Sequence, residues 1–173
     1  EIGRMGEALI VFRDTAIEAR KSNLEEMEIA RRRLIDAIEN SSEGFAFYDP
    51  DGNLVICNSR YSNLLFPGGE FEVMPGIEFE TVVRESAKIG FITEAVNREE
   101  EWVQEQISCH QEPGEPRLQS NINGQWILIT ERKTGDGGTV AIYSDITALK
   151  ARETELSNKS EALENLSKQL SKY

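Results

Sequence analysis

The sequence predicts an α+β fold: a five-stranded antiparallel sheet with short helices on one face, flanked by long N- and C-terminal coiled-coil helices. Three observations carry this. Apolar, β-branched runs come in the order strand, strand, several short helices, strand, strand, strand, with turn signals between them. The last strand, Thr139-Val-Ala-Ile-Tyr-Ser144, passes straight into a helix through Asp145-Ile146-Thr147, and Leu149, Leu156, Leu163 and Leu170 then recur at a seven-residue spacing, with Leu166 and Tyr173 three residues after the last two. Such a stripe marks a helix that pairs with another helix rather than one that closes a core. Charged residues make up 29% of the chain and gather at its two ends, so only the middle can hold a sizeable core.

Length and charge bound the answer further. A chain of 173 residues allows one compact domain with helical extensions. The net charge of −12 argues against nucleic acid, which needs a basic surface. Cys57 and Cys109 stand far apart without metal-binding spacing, which fits neither a zinc site nor a disulfide framework and suits a reducing compartment. No apolar run approaches the length of a membrane span. The chain begins at Glu1 in mid-helix without an initiator methionine, and is expected to be a fragment of a longer protein.

Residues 1–40 read as one long helix with the apolar stripe Met5, Leu9, Phe12, Ala16, then Leu24, Met27, Leu34 and Ile38. Between Ala16 and Leu24 the spacing is eight, one more than a heptad, a phase shift that locally unwinds a coiled coil. Arg20 and Arg31 fall on this seam and weaken it. The helix is too long for a small domain to cover, and a parallel partner helix is expected.

Residues 41–147 are the globular part. Ser41-Ser42-Glu43-Gly44 breaks the helix, and Phe45-Ala-Phe-Tyr48 and Leu54-Val-Ile-Cys57 form an antiparallel pair around the turn Asp49-Pro-Asp-Gly-Asn53. Asn58 is placed to cap a short helix that Pro67-Gly68-Gly69 stops, and residues 77–90 predict a second helix ending at Gly90. Thr93 is expected to start a longer helix, with Glu94 and Glu99 to Glu101 in its early turns, Ala95, Trp102 and Ile107 on its apolar face, and Pro113-Gly114 at its end. Strands at about 117–122, 125–133 and 139–146 follow, joined by Asn123-Gly124 and Asp136-Gly137-Gly138. In the middle one, Trp126 and Leu128 point one way and Ile127 and Ile129 the other, so both faces of the sheet are expected to be covered: one by the helices of 58–112, the second by the N-terminal helix or a partner chain. Residues 148–173 are the C-terminal coiled-coil helix.

The blocks Gly44-Phe-Ala-Phe-Tyr-Asp49, Gly52-Asn-Leu-Val-Ile-Cys-Asn58, Gly124-Gln-Trp126, Glu131-Arg-Lys-Thr134 and Asp136-Gly-Gly-Thr-Val140 running into Asp145-Ile-Thr147 resemble a PAS domain, and the resemblance spans residues 43–147. Glu1-Ile-Gly3 with Phe12 is similar to the second helix of a HAMP relay domain, and residues 147–173 resemble the signalling helix that joins PAS modules to output domains. The ending Leu170-Ser-Lys-Tyr173 looks like the lead-in to class III nucleotide cyclase domains. The HAMP resemblance implies a membrane span upstream, with this part on the cytoplasmic side and otherwise no membrane contact.

No catalytic constellation is visible. His110 is the only histidine, and Cys109 beside it points about 100° away on a helix, so the two do not form a dyad. Glu99-Glu100-Glu101 reads as a solvated helix start, and Gly68-Gly69 and Gly137-Gly138 are turn glycines that make no phosphate cradle. No metal site is expected. Flavin-binding relatives carry an Asn-Cys-Arg-Phe pattern on a central helix, absent here, and haem-binding relatives use a histidine away from the extreme helix end where His110 stands, so neither cofactor is expected. An unknown small ligand between sheet and helices is the remaining option, with Phe47, Ile56, Tyr61, Trp102 and Tyr143 as candidate lining residues, all of which also suit a plain core.

The relay residues are better defined. Asp145 can accept from the N–H groups of Thr147 or Ala148 at the helix start, worth about 1 kcal/mol, and can pair with Arg132 or Lys133 on the adjacent strand. Asp145, Thr147 and Arg132 are therefore the candidate signal-relay residues. The expected function is a non-catalytic sensory and dimerisation module, a parallel homodimer passing a conformational change to an output domain of the same chain, a nucleotide cyclase by resemblance. A histidine kinase input module and a ligand-independent dimerisation linker are the alternatives.

Overall fold

In the computed structural model the backbone is described for Ile2–Leu170 and side chains for Met5–Leu170; Glu1 and residues 171–173 lie outside the described residues, and with them Tyr173 of the leucine stripe and the end of the cyclase resemblance. The chain divides after Asn40 into two units.

The first unit is a single helix, α1, Ile2–Glu39. It has no internal proline, and Asn40 closes it, its backbone N–H and its side-chain amide both donating to the Asp36 carbonyl. The seam residues Leu24, Met27 and Leu34 are exposed and Ile38 is half-buried. An amphipathic helix of 38 residues with its apolar side in water is an unfinished packing problem.

The second unit is built on one sheet. Its strands are β1 (Gly44–Tyr48), β2 (Leu54–Cys57), β3 (Arg117–Ser120), β4 (Trp126–Lys133) and β5 (Thr139–Asp145), in the spatial order β2-β1-β5-β4-β3 with every pair antiparallel. The first and last strands of the sequence order, β1 and β5, are central neighbours. The helices α2 (Ser59–Leu65), α3 (Phe79–Lys88) and α4 (Glu99–Gln111) lie between β2 and β3 in sequence, and α5 (Thr147–Leu170) leaves from β5.

Local chemistry explains most of these boundaries. The hairpin glycines Gly52, Gly124 and Gly137 have φ of 84°, 78° and 90°, a region that costs other residues steric strain. Asn58 organises the start of α2: its Oδ1 accepts from Tyr61 N at 3.0 Å and from Phe45 N at 2.9 Å, while its Nδ2 donates to the Glu43 carbonyl at 2.8 Å. One buried side chain thus caps a helix and fastens the entry to β1.

The helix expected from Thr93 is instead broken. Thr93–Ala95 form a 3₁₀ turn, Asn97 takes φ 63°, and α4 begins only at Glu99. Asparagine tolerates the left-handed region better than other non-glycine residues, and one such residue ends a helical run.

The core sits between the helices and one face of the sheet. Ala46, Tyr48, Ile127, Ile129, Ala141 and Tyr143 point into it, against Tyr61, Leu64 and Leu65 of α2, Phe79, Val82 and Val83 of α3, and Trp102 and Val103 of α4. On the other face of the sheet Phe45, Phe47, Ile56, Trp126, Leu128 and Val140 are half-buried, and Ile142 and Leu118 are exposed. Gly138 marks a close approach between backbones: a Cβ there would meet Tyr48 O at 2.6 Å and Phe47 Cε2 at 2.7 Å. Gly138→Ala is expected to lower stability by about 1–3 kcal/mol through this overpacking, read as a lower urea midpoint with an unchanged slope.

Candidate functional site

The junction between β5 and α5 is tied at both of its strands. Asp145 Oδ1 accepts from Thr147 N at 3.0 Å and from Thr147 Oγ1 at 2.6 Å. The same Thr147 hydroxyl oxygen accepts from Trp126 N of β4 at 2.9 Å, and Ile146 N donates to Trp126 O at 2.9 Å. Gln125 Nε2 completes the cluster by donating to Asp145 Oδ2 at 2.8 Å. Lys150 N then accepts the role of first helical donor, bonding Ile146 O at 2.9 Å, and the Lys150 ammonium lies 5.8 Å from the centre of the Trp126 ring. The first residue of α5 is therefore bonded to two strands. Any sliding of β4 against β5 must break a hydrogen bond or move the helix start.

Electrostatics keep this cluster charged. Burial alone pushes the Asp145 carboxyl up, but the Thr147 hydroxyl and N–H, the Gln125 amide and the more distant Arg60 charge together hold it below the usual aspartate range.

A second polar cluster lies inside the core. His110, near the end of α4, stacks on Phe79 with ring centres 3.7 Å apart and meets the Tyr48 ring edge-on at 5.0 Å. Its Nδ1 is 2.7 Å from Glu131 Oε1, and Arg117 Nη2 is 2.9 Å from Glu131 Oε2. Burial pushes the Glu131 carboxyl up, yet the hydrogen bond from His110 and the charges of Arg117 and His110 outweigh it and hold the group below the ordinary range. An ionised carboxylate only accepts, so the proton between the two sits on Nδ1. The cluster joins α4, β3 and β4. Deeper still, the Tyr48 and Tyr61 hydroxyls bond at 2.9 Å, and the Tyr61 ring packs edge-on against Tyr143 at 5.0 Å. Burial raises the Tyr48, Tyr61 and Tyr143 phenols well above the ordinary tyrosine range. Among the described residues no group of three or more His, Cys, Asp or Glu side chains is placed to hold a metal, and no helix is long and apolar enough to cross a membrane.

This architecture has a counterpart among known families: the model described as the PAS fold matches residues 38–154. The chain belongs to the PAS family. A relative is the non-motile and phage-resistance protein of Caulobacter vibrioides, 32% identical over 164 residues, which cover 93% of this chain but only 17% of that protein. The match therefore spans a small part of the relative's length. Among solved structures, the PAS domain of an HTR-like protein from Haloarcula marismortui is 23% identical with a TM-score of 0.43, covering 73% of this chain and 99% of that one. The PAS domain of Bordetella pertussis BvgS is 16% identical with a TM-score of 0.40, covering 77% and 98%.

Within the PAS domain the sequence-derived candidates separate into three groups. Asp145 and Thr147 are bonded to each other at the junction. Arg132 is not with them: β4 and β5 run antiparallel, so Asp145 faces Ile127 while Arg132 faces Val140 at the far end of the ladder. Lys133 is equally distant and donates to Thr139 Oγ1 at 2.9 Å. The charged partner nearest in effect is Arg60 of α2, and the missed direct partner is Gln125.

The candidate pocket residues also divide. Tyr61, Trp102 and Tyr143 are buried on the core side. Phe47 and Ile56 are each other's ladder partners on the opposite face, so they do not line a space between sheet and helices. Alternation explains this: Phe47 lies between the inward Ala46 and Tyr48 and takes Ile56 with it, while the register shift after Phe47 places Leu54 opposite Tyr48, so that Leu54 and Cys57 are the inward residues of β2. The Glu131–His110–Arg117 cluster was not read from the sequence. Its one signal there is alternation, since Glu131 continues the inward series Ile127, Ile129.

On α5, Leu149, Leu156, Leu163 and Leu170 are 58%, 68%, 67% and 71% exposed. Four leucines in one stripe on a helix that carries no buried residue form a surface that a single chain leaves in water.

Proposed function

We propose that this PAS domain is the sensory and dimerisation module of a signalling protein, and that it drives an output domain through α5 acting as half of a parallel coiled coil. The observation that carries the reading is the junction, where Thr147 is bonded at once to Asp145 of β5 and to Trp126 of β4. A change in the core that shifts these strands re-aims the first turn of a helix whose leucine stripe has no intrachain cover. Energies of one to three hydrogen bonds match the coupling of about 1–3 kcal/mol typical between sites. α1 supplies a second seam through Leu24, Met27, Leu34 and Ile38, which makes the module two-ended.

By resemblance of its first and last residues we assign the module to the cytoplasmic side of a membrane-tethered protein, between a HAMP-like relay and a nucleotide cyclase. The sequence that follows Tyr173 tests the output: metal-binding aspartates fit a cyclase, and a phosphoacceptor histidine on a helix replaces that assignment with a histidine kinase.

Dimerisation is tested separately. Leu156→Asp and Leu163→Asp are each expected to raise the dimer dissociation constant by at least about 100-fold, because each places a charge where two chains bury leucine. Sedimentation equilibrium of the chain reads this, and an unchanged constant refutes the α5 pairing.

A further inference from the structure

Where the β1–β2 turn meets the start of α3 and the end of α4, a cavity of about 220 Å³ opens, with room for several waters. Phe79 N donates to Gly52 O at 2.9 Å and holds turn and helix together. Phe79 and Ile107 make one side of the cavity apolar, and His110, Asp51, Glu78 and Lys133 are among its polar residues.

His110 is the informative one, with its side chain only 8% exposed. Its ring is held by Phe79 on one face, by the Tyr48 ring edge-on and by Glu131 at Nδ1, which leaves the Nε2 edge to the cavity. Because the ionised Glu131 carboxylate only accepts, the proton stays on Nδ1 and Nε2 is a bare acceptor. Among the described residues no group donates to it, and unlike Glu94 Oε2 and Arg117 Nε it is not sealed from solvent. A largely buried acceptor without a donor costs free energy until something meets it.

The rest of the wall has the matching charge. Asp49 is committed to Asn53 within the turn, and Glu80 to Arg84. Asp51 and Glu78 are paired with no cation among the described residues, and Glu78 stands at the head of α3 without a side-chain bond to the helix. Lys133 donates to Thr139 Oγ1 at 2.9 Å. Among the described residues no three His, Cys, Asp or Glu side chains converge to hold a metal, so the donor set suits an organic cation.

We propose that this cavity binds a small primary amine with a short apolar body, its ammonium donating to His110 Nε2, its charge balanced by Asp51 and Glu78, and its body against Phe79 and Ile107. An anion would meet two carboxylates and a lone pair. A neutral alcohol can donate to Nε2 but leaves the carboxylates unneutralised. His110 passes the contact to Glu131 on β4, the strand whose other end bonds Thr147. That last step, the ligand as input, rests on the sensory reading above; the binding chemistry does not.

The chain has one histidine, so nitrogen NMR of isotope-labelled protein reads its ring without ambiguity. Near neutrality Nδ1 is expected to be protonated and Nε2 bare, and n-butylamine or isobutylamine is expected to shift the Nε2 signal saturably. Isothermal titration with the same amines gives the affinity, with butyrate and n-butanol as controls that should not match them. Asp51→Asn combined with Glu78→Gln changes two exposed side chains and is expected to weaken binding about fivefold or more. Failure of both amines to bind, equal binding by a control, an unmoved Nε2 signal at saturation, or undiminished affinity in the double variant overturns the site. A protonated Nε2 in the free chain overturns it too, because that nitrogen is then a donor. Binding that leaves the output of the full-length protein unchanged overturns the ligand's role as input and not the site.

Discussion

Glu131→Ala is expected to cost the fold about 3–5 kcal/mol, the penalty of removing one member of a buried charged cluster. Glu131 is 4% exposed, and its loss leaves Nδ1 of the buried His110 and the guanidinium of Arg117 without their carboxylate. Against the total of about 5–15 kcal/mol typical of a domain, that is a large share. Urea unfolding of the two proteins checks it. The exposed pair of Arg84 and Glu100 is the control, and Glu100→Ala is expected to leave the midpoint unchanged because solvent screens that pair. A pH series separates the charge from the lost volume. Because the folded carboxyl of Glu131 titrates below its unfolded value, the folded chain binds fewer protons, and its contribution is present above the ordinary glutamate value of about 4.3. It is lost as pH falls through the lower, folded value. The difference in stability between wild type and Glu131→Ala should therefore shrink in that acidic window. A difference that does not shrink assigns the cost to packing alone.

Asp145→Ala is expected to uncouple the relay while leaving the sheet intact. It removes the acceptor of three hydrogen bonds, from Thr147 N, Thr147 Oγ1 and Gln125 Nε2. The stability cost is about 1 kcal/mol, as for loss of a helix-start acceptor. The functional cost is larger, because coupling of about 1–3 kcal/mol is itself a factor of roughly 5–150 in the response. In the full-length protein the expected result is an output that no longer responds to stimulus, with dimerisation preserved. Thr147→Val, which keeps shape and removes the hydroxyl, should reproduce the defect by freeing Trp126 N from the helix. Output that still responds normally in both variants reduces the junction to an ordinary helix start.

Much of this site was written locally. Asp145 and Thr147 are two residues apart, and an aspartate accepting from the N–H two residues on is a short-range preference of the chain. The same holds for Asn58 at the head of α2 and for the hairpin glycines with positive φ. The partners that tie the junction to β4 are different in kind. Gln125 and Trp126 reach Asp145 and Thr147 only because β4 and β5 pair with Ile127 opposite Asp145. Register over that ladder is a property of the assembled sheet, and it also removes Arg132 from the junction.

The division between what the sequence determined and what the tertiary structure decided follows the range of the forces involved. Alternating and seven-residue apolar patterns, turn glycines and capping side chains act over a few residues, so the sequence alone determined the succession of strands and helices along the chain and the two long helices, and its resemblance to PAS domains implied the antiparallel sheet. Which residues of β2 meet the core depended on the register shift between β1 and β2, which brings Leu54 rather than Val55 opposite Tyr48. The meeting of His110 with Glu131, and with Asp51 and Glu78 around one cavity, joins residues separated by many positions whose encounter exists only after the helices close on the sheet. Local propensity carries no term for such encounters, and packing alone sets them.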